Sequence, residues 1–198
     1  MAEWRDIRDG GRLLYAPGFY APAEANALFA WLRSHIPWRQ EVAHSNPLPR
    51  LNAWFADAGL RYSYSGLSHR GSGWLPELAE IKRRVEAACG ASFNSLLLNR
   101  YRDGKDSIGF HTDAEPELGA NPVVATVSFG SERDFVLKHR ATREALTYRL
   151  GHGSLLVMGG TSQHHWLHAL PRTEGPVGER ISITFRLITG EAGGDPHH

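Results

Sequence analysis

The sequence contains one cysteine, Cys89, in 198 residues. A single thiol can close no internal disulfide and build no thiolate metal cluster, so the expected compartment is a reducing one: cytoplasmic, or the nucleus if the source is eukaryotic. Long apolar runs are also missing. No stretch approaches a membrane span, and the first twelve residues mix Arg5, Arg8 and Arg12 with Glu3, Asp6 and Asp9, which leaves no apolar signal core. A soluble chain with no membrane partner is therefore expected. Charge of one sign is scarce as well: 22 Lys and Arg stand against 21 Asp and Glu, for a net charge of +1. Such balance lacks the strongly basic signature of many nucleic-acid binders, so composition alone is silent on partners. Repeats, low-complexity tracts and linkers are absent, and the length fits one domain with a sizeable core.

Two helices are legible in what is present. Pro22 followed by Leu28, Trp31, Leu32 and Ile36 has helical spacing, with proline near the first turn where its missing N–H costs least. The spacing predicts a helix from about Pro22 to His35. A second runs from Pro76 through Leu78, Ile81, Val85 and Cys89 to Gly90, a residue suited to a left-handed cap. Between them, Trp38 to Gly73 is rich in Pro, Asn, Ser, Gly and aromatics, which predicts loops and short hairpins. After Gly90 the pattern becomes β-type: Ser95–Tyr101, Val123–Phe129, Asp134–His139, Leu146–Leu150, Ser154–Met158, His164–Leu170 and Arg180–Ile188. The fold class is thus α+β but mainly β, a double-sheet jelly roll or small barrel buttressed by N-terminal helices. Residues 190–198 are expected to form a loose tail.

Eleven histidines prompt a search for metal ligands, although His197 and His198 lie in the Gly-rich tail. His111 and Asp113 are two apart, so on an extended segment they share a face, and a third ligand could come from the histidines around Trp166. Two histidines and a carboxylate form the facial triad of non-haem iron(II) oxygenases, which leaves coordination positions open. On its own the His-x-Asp pair is equally a solvated turn. The strand Arg180–Arg186 adds a strict alternation, with Arg180, Ser182, Thr184 and Arg186 on one face and Ile181, Ile183 and Phe185 on the other. If the polar face turns inward it needs an anionic ligand, because an unpaired buried guanidinium is very costly. A dicarboxylate meets that need through a two-pronged grip. The two arginines, roughly 20 Å apart along a strand, serve different ends of such a site. Asn99 and Tyr101 share a strand face and can add an amide and a phenol to it.

A run of motifs in fixed order carries a resemblance. Tyr62-Ser63-Tyr64-Ser65-Gly66, then Leu98-Asn99-Arg100-Tyr101 through Gly109 to His111-Thr112-Asp113, then Ser128-Phe129-Gly130 with Arg133-Asp134-Phe135, then His152-Gly153-Ser154, His165-Trp166-Leu167-His168 and finally Arg180–Arg186 closely resemble the AlkB demethylases. The sequence looks nearest to the branch that includes the vertebrate nuclear DNA-repair enzymes. The resemblance implies a double-stranded β-helix core over 91–189, preceded over 1–90 by helices and a nucleotide-recognition lid. It implies Fe(II) and 2-oxoglutarate as cofactors, with His111, Asp113 and His168 as catalytic metal ligands. Arg180 would pair the distal carboxylate of 2-oxoglutarate, and Arg186 would lie nearer the iron. Asn99, Tyr101, Ser182 and Thr184 would complete the cosubstrate pocket, Ser182 standing where many relatives have Asn. His165, of opposite strand parity to His168, reads as a supporting or structural residue.

For substrate, the resemblance implies oxidative demethylation of 1-methyladenine and 3-methylcytosine in DNA, releasing formaldehyde, succinate and carbon dioxide. Tyr62, Tyr64, Ser65 and Glu115 are the candidates for gripping an extruded base, with Tyr64 opposite His111. Relatives that work on duplex DNA carry an apolar wedge before the tyrosines. Here Glu41–Pro47 offers only Val42 or His44, so single strands are expected to be handled at least as well as duplex, by a monomer. Two alternatives remain: an iron and 2-oxoglutarate enzyme acting on RNA, protein or a small molecule, and a non-catalytic nucleic-acid-binding module. The paired tyrosines argue against a non-nucleotide substrate, and a pure binder has no use for His111, Asp113, His168 and Arg180 together.

Overall fold

The computed structural model describes residues 3–43, 45–64 and 67–190, with backbone alone for Tyr64 and Leu67. The chain begins with β1 (Trp4–Ile7), β2 (Gly11–Ala16), α1 (Pro22–His35), β3 (Val42–Ala43), β4 (Asn46–Pro47), β5 (Leu51–Ala56), β6 (Arg61–Tyr64), β7 (Leu67–Arg70) and α2 (Pro76–Cys89). It continues with β8 (Ser95–Tyr101), β9 (Ile108–His111), β10 (Val124–Gly130), β11 (Arg133–His139), β12 (Ala145–Leu150) and β13 (Ser154–Gly160). A short α3 (Ser162–His165), β14 (Trp166–Leu170) and β15 (Arg180–Arg186) complete it.

Two antiparallel sheets face each other as a double-stranded β-helix. The larger has the order β1-β2-β13-β10-β15-β8-β5 and the smaller β12-β11-β14-β9. Hairpins β3-β4 and β6-β7 stand apart from both. Alternation along β15 sets the layers. Ile181, Ile183 and Phe185 face outward into a core shared with Leu32 of α1 and Leu78, Ile81 and Val85 of α2. The polar positions face inward between the sheets, beside a second core of Leu13, Val124, Leu137, Leu150, Leu156 and Trp166. Burying such apolar surface stabilises the packing of helix on sheet by roughly 1.5–3 kcal/mol per large side chain.

Both helices lie where their spacing predicts. Proline occupies the first turn of each, and Gly90 caps α2 at φ 69°, a left-handed conformation that a side chain would oppose. Three features differ from expectation. The stretch before residue 91 contributes β1, β2 and β5 to the larger sheet as well as helices and hairpins. Those strands exist because an edge is there to pair with: β2 adds to β13 and β5 to β8. The expected strand from His164 starts instead at Trp166, since the backbone N–H groups of His164 and His165 turn back to the carbonyl of Thr161 and form α3. Finally, no strand is expected immediately before Asp113, yet Ile108–His111 pairs with β14 as β9 and forms the edge of the smaller sheet.

Candidate active site between the sheets

His111 ends β9 and lies opposite His168 of β14, with ring centroids 4.2 Å apart. Two residues on, Asp113 is buried, and its Oδ2 lies 3.7 Å from Nε2 of His168. One donor atom from each of the three falls within 4.8 Å of the others. Each is also oriented. The ring of His111 donates from Nδ1 to the carbonyl of Gly109 at 2.8 Å. A carbonyl can only accept, so Nδ1 carries a proton, and Nε2 is the ring atom that faces the other two residues as a potential metal ligand. Phe135 stacks against the His168 ring at 5.5 Å. The Asp113 backbone N–H donates to Oε1 of Gln163, whose own carbonyl accepts the Thr112 hydroxyl.

Electrostatics suit a cation. Burial disfavours the charged form of His168 and pushes its pKa down to about 3, so the ring is neutral and its lone pair available. Burial alone would raise the Asp113 carboxyl, but the Arg186 guanidinium together with the neighbouring His168 and His111 rings outweighs it, and the group is held at about 2. Arg186 donates to Oδ1 of Asp113 at 3.0 Å, while Oδ2 is buried with no hydrogen-bond partner among the described residues. A bare, ionised, buried carboxylate oxygen beside two imidazoles fits iron(II) well: nitrogen and oxygen donors on one side, open space on the other.

The inward polar face of β15 runs away from these donors. Arg180 is 1% exposed and has no carboxylate within ion-pairing distance among the described residues. Its guanidinium donates to Oγ of Ser128 at 2.8 Å and lies 5.3 Å over the Tyr101 ring, yet its Nε is buried without a partner. Burial pushes its pKa down to about 10, which still leaves it cationic near neutrality. An unpaired buried cation of this kind awaits an anion. Ser182 lies in register with Asn99 on β8, and the hydroxyls of Thr184 and Thr126 are 3.1 Å apart. Asn99, Tyr101, Arg180, Ser182, Thr184 and Arg186 line one inner chamber with His111, Asp113 and His168.

A second chamber of about 380 Å³ opens on the far side of His111, Asp113 and Arg186, which border both. Tyr62 and Glu115 line it. Tyr62 is buried against Leu118 and Ile188, and burial raises its phenol. Glu115 is half-buried, raised by desolvation, and its Oε2 is buried without a hydrogen-bond partner among the described residues. Ser65 and the Tyr64 side chain lie outside the described residues, as does His44; Val42 is 53% exposed on its hairpin.

Sequence reasoning did not pick out Arg50, Trp54, Phe110 or Gln163, and it quoted Phe135 only as part of a motif, with no role at the site. Arg50 is buried, donates to Oδ1 of Asn99 at 3.1 Å and, with Trp54, walls the outer chamber. No short-range signal marks these residues, because their roles arise from strands that meet only in the fold. His164 and His165 lie outside the triad. His164 bonds to Ala120 and Asn121. His165 belongs to a second group with Asp9 and His139. There the Thr142 backbone N–H donates to Nδ1 of His139, so its Nε2 carries a proton and donates to Asp9 at 2.8 Å. That group is a structural tie between the N-terminal turn and β11.

Comparisons with known proteins agree with the geometry. A family model described as the 2OG-Fe(II) oxygenase superfamily matches residues 12–186. The DNA oxidative demethylase ALKBH2 of Mus musculus is 35% identical over 201 residues, covering 94% of this chain and 84% of the mouse protein. Its Homo sapiens counterpart is 36% identical over 200 residues, covering 93% and 77%. The alpha-ketoglutarate-dependent dioxygenase alkB homolog 3 of Rattus norvegicus is 37% identical over 199 residues, covering 93% and 67%. A solved structure titled "The structure of OsALKBH1" superposes with a TM-score of 0.68 at 14% identity, covering 93% of this chain and all of that one, which shows a shared fold. With a family model across most of its length and relatives more than a third identical along nearly all of it, this chain belongs to the AlkB family and is an iron(II)- and 2-oxoglutarate-dependent dioxygenase.

Proposed function

We propose that the protein oxidatively removes methyl groups from N-alkylated nucleobases, 1-methyladenine and 3-methylcytosine, in DNA. The observation that carries this reading is the position of His111 and Asp113 on the border between a chamber ending in the unpaired Arg180 and a second chamber of about 380 Å³. In this reading His111, Asp113 and His168 hold iron, and Arg180 grips the distal carboxylate of 2-oxoglutarate. Asn99, Tyr101, Ser182, Thr184 and Arg186 shape the cosubstrate end. Iron and 2-oxoglutarate, when bound, supply the oxidising chemistry, and the oxidised methyl leaves as formaldehyde beside succinate and carbon dioxide.

The chain's own groups bind and orient. Arg186 helps to keep Asp113 ionised, and Phe135 and Gln163 hold the donors in place. The hairpin β6-β7 serves as lid, with Tyr62, Tyr64 and Ser65 over the base and Tyr64 stacking opposite His111. Glu115, with an unsatisfied buried oxygen on the outer chamber, reads the exocyclic amine of the extruded base. Because the β3-β4 hairpin offers no large wedge, single strands are accepted at least as well as duplex, by a monomer working in the cytosol or nucleus. Among the described residues no helix is long and apolar enough to cross a membrane.

The test is to incubate the purified protein with iron(II), 2-oxoglutarate and matched methylated oligonucleotides and follow the mass. Loss of one methyl from 1-methyladenine and 3-methylcytosine is expected. Replacing Tyr64 by Ala should slow it by about ten- to a hundredfold, since aromatic stacking is worth about 1–3 kcal/mol per base; Tyr64→Phe keeps the ring and most of the activity. Turnover of 2-oxoglutarate with no demethylation of DNA would move the substrate elsewhere, and a clear preference for duplex would refute the strand assignment.

A further inference from the structure

The smaller sheet breaks its register beside the metal-ligand candidates. His168 pairs with His111 and Leu170 with Ile108, so β9 advances three residues while β14 advances two. The additional residue on β9 lies at Gly109–Phe110. Bulges of this kind bend a strand and re-aim a side chain. Two consequences are visible. The Gly109 carbonyl reaches the His111 ring, and Phe110 is turned out of the sheet interior to 50% exposure. Phe110 therefore stands at the rim of the outer chamber, directly before a chamber-lining histidine, on an edge strand. Natural edges are usually guarded by charge rather than by a bare phenyl ring. A cation accompanies the ring: Nζ of Lys138 lies 5.8 Å from its centroid.

From this geometry we infer that Phe110 is a stacking platform for the nucleobase adjacent to the one in the outer chamber, a positioning role that rests on the proposed nucleic-acid substrate. A strand entering the chamber must splay its target base away from the next one, which then loses a stacking partner. Phe110 offers a flat apolar face at the rim where that neighbour emerges, and Lys138 supplies positive charge beside it for the backbone. Aromatic rings set in a cationic groove are how single strands are held without reading their sequence. The platform favours one geometry, an unpaired neighbour, and so works in the same direction as the absence of a large wedge.

The test is a cycle between protein and substrate. Three oligonucleotides of equal length carry the same methylated base: one intact, one with an abasic residue on its 5′ side and one with it on the 3′ side. Backbone charge is the same in all three, and only a flanking base is removed. With wild-type protein, one abasic position should raise KM by about five- to a hundredfold relative to the intact strand, with a smaller change in kcat. In Phe110→Ala that penalty should shrink to less than about twofold, because the platform is already gone, and Phe110→Trp should restore it. Phe110 is exposed, so both variants should unfold at the wild-type temperature, which a thermal melt checks. Abasic penalties that are the same in wild type and Phe110→Ala on both sides overturn the inference while leaving demethylation intact. A wild-type protein that turns over 2-oxoglutarate yet demethylates none of the three strands overturns the underlying reading and this inference together.

Discussion

Gln163 accepts the backbone N–H of Asp113 through its side-chain Oε1 at 2.9 Å, although the two residues are fifty positions apart. The amide also lies 3.2 Å from the Thr112 hydroxyl, and the Gln163 side chain is buried. Through it, the segment that presents Asp113 is locked to the turn preceding β14. Replacement by Leu removes the acceptor and leaves a buried N–H unsatisfied, at a cost of about 1–3 kcal/mol. Gln163→Leu should therefore lower both the denaturation midpoint and the affinity for iron(II), by about tenfold for the latter, in the range seen when supporting residues of metal sites are removed. Unchanged iron affinity in a folded variant would show that Gln163 only stabilises the turn.

His168 and His165 are three residues apart but belong to different groups. Calorimetric titration should show His168→Ala losing iron(II) affinity by more than about 100-fold, since on the proposed assignment it deletes a ligand rather than a supporting contact. His165→Ala should bind the metal close to wild type. The reverse result would mean that the wrong histidine has been assigned.

Arg180→Lys should raise KM for 2-oxoglutarate strongly while the protein remains folded. Lysine retains the positive charge but cannot reproduce a planar grip on a carboxylate, and it loses the contact to Ser128 and the seat over Tyr101. Initial rates against 2-oxoglutarate concentration, with circular dichroism on the same sample, decide the point. An unaltered KM would remove this strand from the cosubstrate pocket.

The metal-free protein should be acid-sensitive because of His168. Its folded pKa is pushed down to about 3 by burial, whereas in the unfolded chain it titrates near 6.5. Between those values the unfolded chain takes up a proton that the folded one refuses, so stability falls as pH drops through this window and stops falling from this source below about 3. From pH 7 to pH 5 the loss amounts to about 2 kcal/mol. Urea denaturation of wild type and His168→Gln at both pH values should show that extra loss in wild type alone; parallel losses would contradict it.

Much of this molecule is written in local pattern. Proline, apolar spacing and Gly90 suffice to delimit α1 and α2, and the alternation of Arg180–Arg186 suffices to separate a polar face from an apolar one. Motif order from Tyr62 to Arg186 was enough to indicate the family and to single out His111, Asp113 and His168, which the fold brings together. What periodicity could not say is which face of β15 turns inward, since an alternating strand is equally consistent with a wet surface. That was decided by the helices, whose apolar stripes cover Ile181, Ile183 and Phe185 and leave the charged face to the space between the sheets. The strands β1, β2 and β5 likewise exist only because other strands offer them an edge. The supporting residues are tertiary for the same reason: Gln163 meets Asp113, Arg50 meets Asn99 and Phe135 meets His168 across sequence separations that no local signal spans. Sequence determined the candidate donors and their chemistry, whereas their orientation, burial and the bulge that turns Phe110 outward came from strand pairing, because hydrogen-bond register is a property of two strands and not of one.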